Sequence, residues 1–335
     1  MKGWKRRGPA LLLAICLLLA GCAGSGARER ELRIGLALYD EEDTFIQSVA
    51  AAVQDRQTEA RQSGQKVSLT ISDGERNQAT QYTQVEKFLS LGYDVLCMNP
   101  VDRTAASTII DDAERAGIPV VFFNREPVAQ DLMQWDRVCY VGSDARQSAE
   151  LQAGIVEQFW ESDRASIDRN GDGVIQYIML EGERRHQDAV IRTEVSVQAL
   201  REAGIELERL DGGVANWDRT QAAAMMTEYF ETYGDEIELV ICNNDDMALG
   251  AVDAAQRLGL SFRNIVGIDG TASGLEAVEA GKMLGTVAMD AEAHGEMVFR
   301  LAVELAAGKT VDEIDEVGED HCVRIPMKAV IWNPS

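Results

Sequence analysis

YDVLCMNPVDRTAASTIIDDAERAGIPVVFFN, residues 93–124, holds two short apolar runs separated by one amphipathic segment. Residues 93–99 and 119–124 read as strands, each bounded by Gly, Asp, Asn or Pro. Residues 103–116 between them carry a helical pattern, and Gly117-Ile118-Pro119 ends that helix directly before the second strand. Strand, helix and strand at this spacing make a parallel pair, because the helix carries the chain back to the start of the sheet. The same alternation extends upstream through strands at 33–39 and 66–72, with helices at 45–61 and 78–91. A second series begins near Val138. Its strands are expected at 137–142, 174–180, 206–210, 237–244, 264–269 and 285–289, and its helices at 147–159, 188–203, 220–233, 247–258 and 273–280. Two such series predict an α/β protein of two doubly wound parallel-sheet domains. A last helix, 291–307, and a final strand pair follow the second series, as in a chain that crosses back between domains.

The N-terminus addresses the compartment. Lys2, Lys5, Arg6 and Arg7 precede an apolar run over 11–20. That run is shorter than the roughly 20 residues of a spanning helix, so a secretory signal is expected. Leu19-Ala20-Gly21-Cys22 looks like a bacterial lipobox, which makes 1–22 a lipoprotein signal and Cys22 the lipidated residue. Residues 23–31, small and charged, form a flexible tether with a reach of up to roughly 30 Å. A formal net charge of −24 argues against nucleic acid, whose phosphates it would repel. Cys97, Cys139, Cys242 and Cys322 are widely separated, with no CxxC pair or Cys/His cluster for zinc. One disulfide is compatible with the compartment, and the sequence does not choose a pair.

In open α/β sheets ligands bind beyond the carboxyl ends of the strands. Asp43, Phe45, Asn99, Asn124, His186, Asp188, Arg192, Trp217, Asn244 and Asp269 stand at those ends. Amides, carboxylates and aromatics suit a sugar, which presents hydroxyls in its ring plane and apolar C–H faces above and below. Phe45 and Trp217 fall in different domains and could close on a ring from opposite sides, although Phe45 also reads as core. Asp188 and Arg192, four apart, share a helix face, either as a surface ion pair or as a carboxylate-held guanidinium. DRNGDGVIQ, 168–176, matches the first nine positions of a calcium loop. Asp168, Asn170 and Asp172 offer side-chain oxygens, Val174 its carbonyl, and Gln176 stands at position nine. The twelfth position is Met179 in place of a bidentate Glu, so a complete shell needs a carboxylate from elsewhere.

RIG…LYDEEDTF, VVFFNREP, YVGSD, DRNGDGVIQ, HQDAVIRT, ELVICNNDDMALGAV and GIDG together resemble the periplasmic D-galactose/D-glucose-binding proteins. The resemblance runs from about Arg33 to the end of the chain. It implies the type I periplasmic-binding fold, in which two domains close at a hinge, and no enzymatic activity. Asp43 would then accept the sugar's 4-hydroxyl, and Phe45 and Trp217 would sandwich the ring. Asn124, His186, Asp188, Arg192, Asn244 and Asp269 would bond its oxygens, and Glu238 would supply the missing carboxylate of a structural Ca2+ site. One position departs: Met289 stands where the family has a further sugar-contacting Asn, and a thioether donates no hydrogen bond.

The expected domains are 32–143 with 290–324, and 144–289 with 325–335. A monomer is expected, anchored outside the cell membrane by its lipid, handing D-galactose or D-glucose to the permease of an ABC transporter, with a transporter or a chemoreceptor recognising its closed form. The rival readings are a sugar sensor that signals to a histidine kinase, and a glycoside hydrolase using carboxylates such as Asp43, Asp188 and Asp269.

Overall fold

The strand–helix–strand unit at 93–124 forms as its sequence dictates. Val95–Met98 and Val120–Phe123 are buried throughout and pair in parallel, Leu96 beside Val120. Strands covered on both faces need apolar residues at every position, and these have them. The connecting helix ends where Gly117 takes a left-handed conformation at φ 71°.

A computed structural model of the chain describes residues 30–333. The expected signal segment, Cys22 and residues 23–29 of the expected tether lie outside the described residues. Among those described, no helix is long and apolar enough to cross a membrane. The strands are β1 Leu32–Leu38, β2 Val67–Asp73, β3 Val95–Met98, β4 Val120–Phe123, β5 Val138–Gly142, β6 Val174–Glu181, β7 Glu206–Val214, β8 Leu239–Cys242, β9 Ile265–Asp269, β10 Gly285–Met289, β11 Cys322–Arg324 and β12 Met327–Ile331. The α-helices are α1 Thr44–Gln62, α2 Gln78–Ser90, α3 Ala106–Ala116, α4 Ala129–Leu132, α5 Ala145–Ser162, α6 Arg164–Ile167, α7 Gln187–Glu202, α8 Arg219–Tyr233, α9 Asp245–Arg257, α10 Ala272–Glu279 and α11 Ala291–Ala306.

Two six-stranded sheets result, ordered β11-β5-β4-β3-β1-β2 and β12-β10-β9-β8-β6-β7. Only β12 runs antiparallel to its neighbour. The strand at 138–142, which begins the second strand series by pattern but falls within the expected 32–143 domain, pairs with β4 and β11 and so belongs to the first sheet. β7 also differs from its reading. Asp211-Gly212-Gly213 looks like a turn, yet the strand continues to Val214 past a register shift opposite Tyr177 and Ile178. Gly212 is needed there because a Cβ would come within 2.4 Å of the Met179 carbonyl oxygen on β6.

The chain passes between the two lobes three times, between β5 and α5, β10 and α11, and β11 and β12. Ser143 stands at the first passage, with its Oγ 3.3 Å from both the Ile325 carbonyl and Nε2 of His294. His294 Nδ1 lies 2.7 Å from the Asp290 carbonyl, which puts the proton on Nδ1 and leaves Nε2 as an acceptor. The Ser143 hydroxyl has one proton for two acceptors, so it links the second and third passages by alternatives. Cys97, Cys139, Cys242 and Cys322 are free and buried.

Candidate functional site

Most helices begin at a short polar side chain that caps its own first turn, and several of these caps face the cleft between the lobes. Asp43 caps α1 by accepting from Ile46 N, His186 caps α7 through Nδ1, and Asn244 caps α9 by accepting from Met247 N. Capping uses one atom of each side chain and fixes where the remaining polar atom points. For His186, Nδ1 accepts from Asp188 N at 3.1 Å, so the neutral ring carries its proton on Nε2. Burial, with the Arg125, Arg192 and Arg103 charges, holds this imidazole well below its ordinary pKa, which keeps it neutral.

Several neighbours adopt backbone conformations that side chains rarely take. Asn124 has φ 60°, Trp217 φ 65° and Asp269 φ 127°. Strain of this kind persists only where surrounding structure imposes it, and it gathers at ligand sites. Trp217 is seated by Gly182, which follows β6, because a Cβ there would come within 2.2 Å of the indole. The indole meets the His186 ring edge-on, with centroids 5.1 Å apart.

Asp43, Phe45 and Asn124 of the first lobe line one cavity with His186, Asp188, Arg192, Trp217, Asn244 and Asp269 of the second. Nine of the ten expected ligand contacts therefore surround the same space. Met289 does not line it. The thioether sits behind the site, 3.5 Å from an Arg192 Nη, and accepts from it. The cavity is small, about 30 Å3, nearer the size of a water molecule than of a sugar ring, so binding needs a movement of side chains or lobes.

Arg192 organises the second lobe's side. It is almost fully buried, donates to the Asn243 carbonyl at 2.9 Å, and lies 3.7 Å from Asp188 and 3.8 Å from Asp269. These ion pairs are long. Burial therefore wins over the guanidinium's attraction, and the carboxyls of Asp188 and Asp269 are both pushed above the usual range. Arg192 Nε is a buried donor with no acceptor. Asp245, behind Asp269, is pushed up to about 7 by burial, against hydrogen bonds from Thr286 and Thr271.

Two lining residues escaped the sequence reading. Tyr39 ends the apolar run of β1 and donates its hydroxyl proton to Asp43. Arg125 follows Asn124, and its guanidinium lies 3.5 Å over the Tyr39 ring. Both occupy strand ends, so the rule that found the others applied to them as well.

The 168–176 loop lies away from this cavity. Gly171 and Gly173 have positive φ, and Asp172 Oδ1 accepts from Val174 N at 2.8 Å. Glu238, fully buried, reaches the loop from the start of β8 and accepts from the backbone N–H groups of Arg169, Asn170 and Gln176. Among the described residues no three of Asp, Glu, His and Cys converge as a metal-holding group. A cation would thus also draw on the Asn170 and Gln176 amide oxygens and the Val174 carbonyl. The residues fit a hard cation in one telling respect: Asp168 Oδ1 is buried without a hydrogen-bond donor.

A family model for the periplasmic binding protein domain matches residues 34–310. The chain belongs to that family. The D-galactose/methyl-galactoside binding periplasmic protein of Haemophilus influenzae is 33% identical over 323 residues, 96% of each chain. A putative rhizopine-binding protein of Rhizobium meliloti is 34% identical, over 73% of this chain and 76% of its own. An ABC transporter solute binding protein from Bacillus halodurans, solved with bound myo-inositol, superposes with a TM-score of 0.75 at 28% identity, covering 90% of this chain and 95% of its own. In this periplasmic binding protein the two lobes are the type I arrangement, and the cavity lies between them at the strand ends.

Proposed function

We propose that the protein captures a hexose, D-galactose or D-glucose, outside the cell membrane and presents it to the permease of an ABC transporter. One observation carries the reading. Side chains from both lobes meet around a single polar cavity that includes Phe45 and Trp217, with the Arg192 Nε donor left for a ligand oxygen. Asp43, held by Tyr39, accepts from a ring hydroxyl, and the neutral His186 donates from Nε2. Asn124, Asn244, Asp188 and Asp269 supply the remaining partners. Closure of the lobes on the ring is the signal that a permease or chemoreceptor reads.

In this reading Cys22 anchors the chain by its lipid. A Ca2+ ion held by Asp168, Asn170, Asp172, Val174, Gln176 and Glu238 stabilises the second lobe. Titration calorimetry with D-galactose and D-glucose tests the central claim. Heat with either hexose supports it; binding only of pentoses or inositols overturns the hexose assignment.

A further inference from the structure

His294 lines no part of the ligand cavity, yet it touches both a cavity wall and the passages between the lobes. It lies in the first turn of α11 with its side chain buried. The ring of Phe45, which does line the cavity, meets the imidazole edge-on, with centroids 5.6 Å apart and planes at 85°. Gly295 brings these two rings together. A Cβ there would come within 2.5 Å of the Ala52 Cβ and 2.7 Å of the Val49 carbonyl oxygen, so only glycine lets α11 press this closely on α1, the helix that carries Phe45.

The same imidazole reaches the hinge through both nitrogens. Nδ1 donates to the carbonyl of Asp290, the residue between β10 and α11, and Nε2 faces the Ser143 hydroxyl after β5. Ser143 Oγ is equally far, 3.3 Å, from the Ile325 carbonyl between β11 and β12. The Ile325 N–H in turn donates to the Gly142 carbonyl at 2.8 Å, so the first and third passages are also tied by their backbones. Burial lowers the pKa of His294 against the pull of the Asp290 charge and carbonyl, so the ring is neutral near pH 7. Phe45, Ser143 and Ile325, the other groups it meets, bring no charge. One hydroxyl proton thus has two acceptors at one distance, and a small change in how firmly the imidazole is held decides between them.

We propose that His294 couples the bound sugar to the hinge. A sugar ring stacked on Phe45 fixes the imidazole that packs against that side chain. The fixed Nε2 then takes the Ser143 proton from the Ile325 carbonyl, which draws the first and second passages together and leaves the third to its backbone bond. The hinge therefore has two discrete hydrogen-bond arrangements, and the ligand biases one of them. The proposal rests on the hexose reading, because it needs a ring on Phe45, and adds to it a positioning residue outside the cavity.

Two measurements test the relay, each with whichever of D-galactose and D-glucose binds more tightly. The chain has three histidines, so the imidazole 15N signals are few and loss of one in His294→Gln assigns it. Saturating hexose should move the His294 Nε2 signal in wild type and leave it in place in Ser143→Ala. The second measurement is a calorimetric cycle of Phe45→Leu, Ser143→Ala and their double variant. The double variant's affinity should differ from the product of the single effects by about threefold or more, beyond the roughly twofold scatter of independent sites. The cycle is repeated in two further backgrounds. His294→Phe keeps a ring edge for Phe45 but no acceptor for Ser143, and His294→Gln keeps a polar group but no ring. Each breaks the relay at a different point, so the single effects should multiply in both, and one folded background suffices, with its sugar-free melting curve reporting the fold. An unmoved Nε2 signal, additive effects in wild type, or coupling that survives the loss of His294 overturns the relay and spares the hexose reading. Failure of wild type to bind either hexose overturns both.

Discussion

Arg125 joins the lobes: an Nη nitrogen lies 3.1 Å from a Glu183 carboxylate oxygen, and the same guanidinium rests 3.5 Å over the Tyr39 ring. Arg125 stands after β4 and Glu183 after β6, so this pair exists only while the lobes are together. A second bond, from Thr44 Oγ1 to Asp246 at 2.7 Å, also crosses the cleft.

Glu183→Gln should therefore favour the open form. The pair is only partly buried, so roughly 1 kcal/mol is at stake. Small-angle scattering should show a larger radius of gyration in the ligand-free variant than in wild type. Hexose affinity should change by about fivefold or less. An unchanged radius would mean that the pair does not influence closure.

Trp217→Ala should weaken hexose binding by about 30-fold or more, since it removes an apolar face from the ring. Trp135, half-buried against the first lobe's core and away from the cavity, serves as the comparison. Trp135→Ala should lower the melting temperature while leaving affinity nearly unchanged. Equal losses of affinity in both variants would place the ligand elsewhere.

The 168–176 loop makes a prediction about stability. Calcium binding to the native state alone stabilises it by roughly 2.7 kcal/mol at a hundredfold excess over Kd. Chelator should lower the melting temperature and calcium restore it, while Asp172→Ala should melt low under both conditions. Hexose binding should survive chelation, because the loop does not line the cavity. Superimposable melting curves in metal-stripped and calcium-loaded samples would reduce the loop to a turn held by its own hydrogen bonds.

Asp245 should impose a pH dependence on stability. Burial raises its folded-state pKa to about 7, against about 3.9 in an unfolded chain. Below both values the carboxyl is neutral in either state and costs nothing. As pH rises from about 4 to 7 the unfolded chain releases the proton more readily, so the fold loses stability. Asp245→Asn should abolish that component. Between about pH 5 and pH 8, wild type should lose roughly 2–3 kcal/mol relative to the variant in urea unfolding. A constant difference across that range would show that Asp245 is ionised in the fold at both pH values.

Much of this was legible in the sequence because the physics that places it is local. Apolar runs of four to seven residues marked strands such as β1, β3, β4 and β8, and the polar residues immediately after them became the site. The errors have local causes too. Residues 138–142 look like any buried strand, and only pairing with β4 and β11 assigns them to the first sheet. Asp211-Gly212-Gly213 has turn composition, but Gly212 answers to the closeness of β6 and Gly213 to Met225 on α8. Met289 ends its strand like Asp269, yet the position of Arg192 keeps its sulfur behind the cavity. Tyr39 and Arg125 also follow strands, but what brings them to the cavity is the contact of the guanidinium with the Tyr39 ring across the ends of β1 and β4, which no local pattern carries.

The three passages between lobes also order events during synthesis. β11 lies beside β5, and α11 packs on α1, although both follow the whole second lobe in the chain. A ribosome making this protein releases almost all of the first lobe while one sheet edge and one helix face still wait for partners. Until residue 324 emerges, no contiguous piece of the chain contains a complete first lobe, and the second still lacks β12. The nascent polypeptide is thereby held short of its final compact form, with an edge of the first sheet left unpaired until β11 arrives.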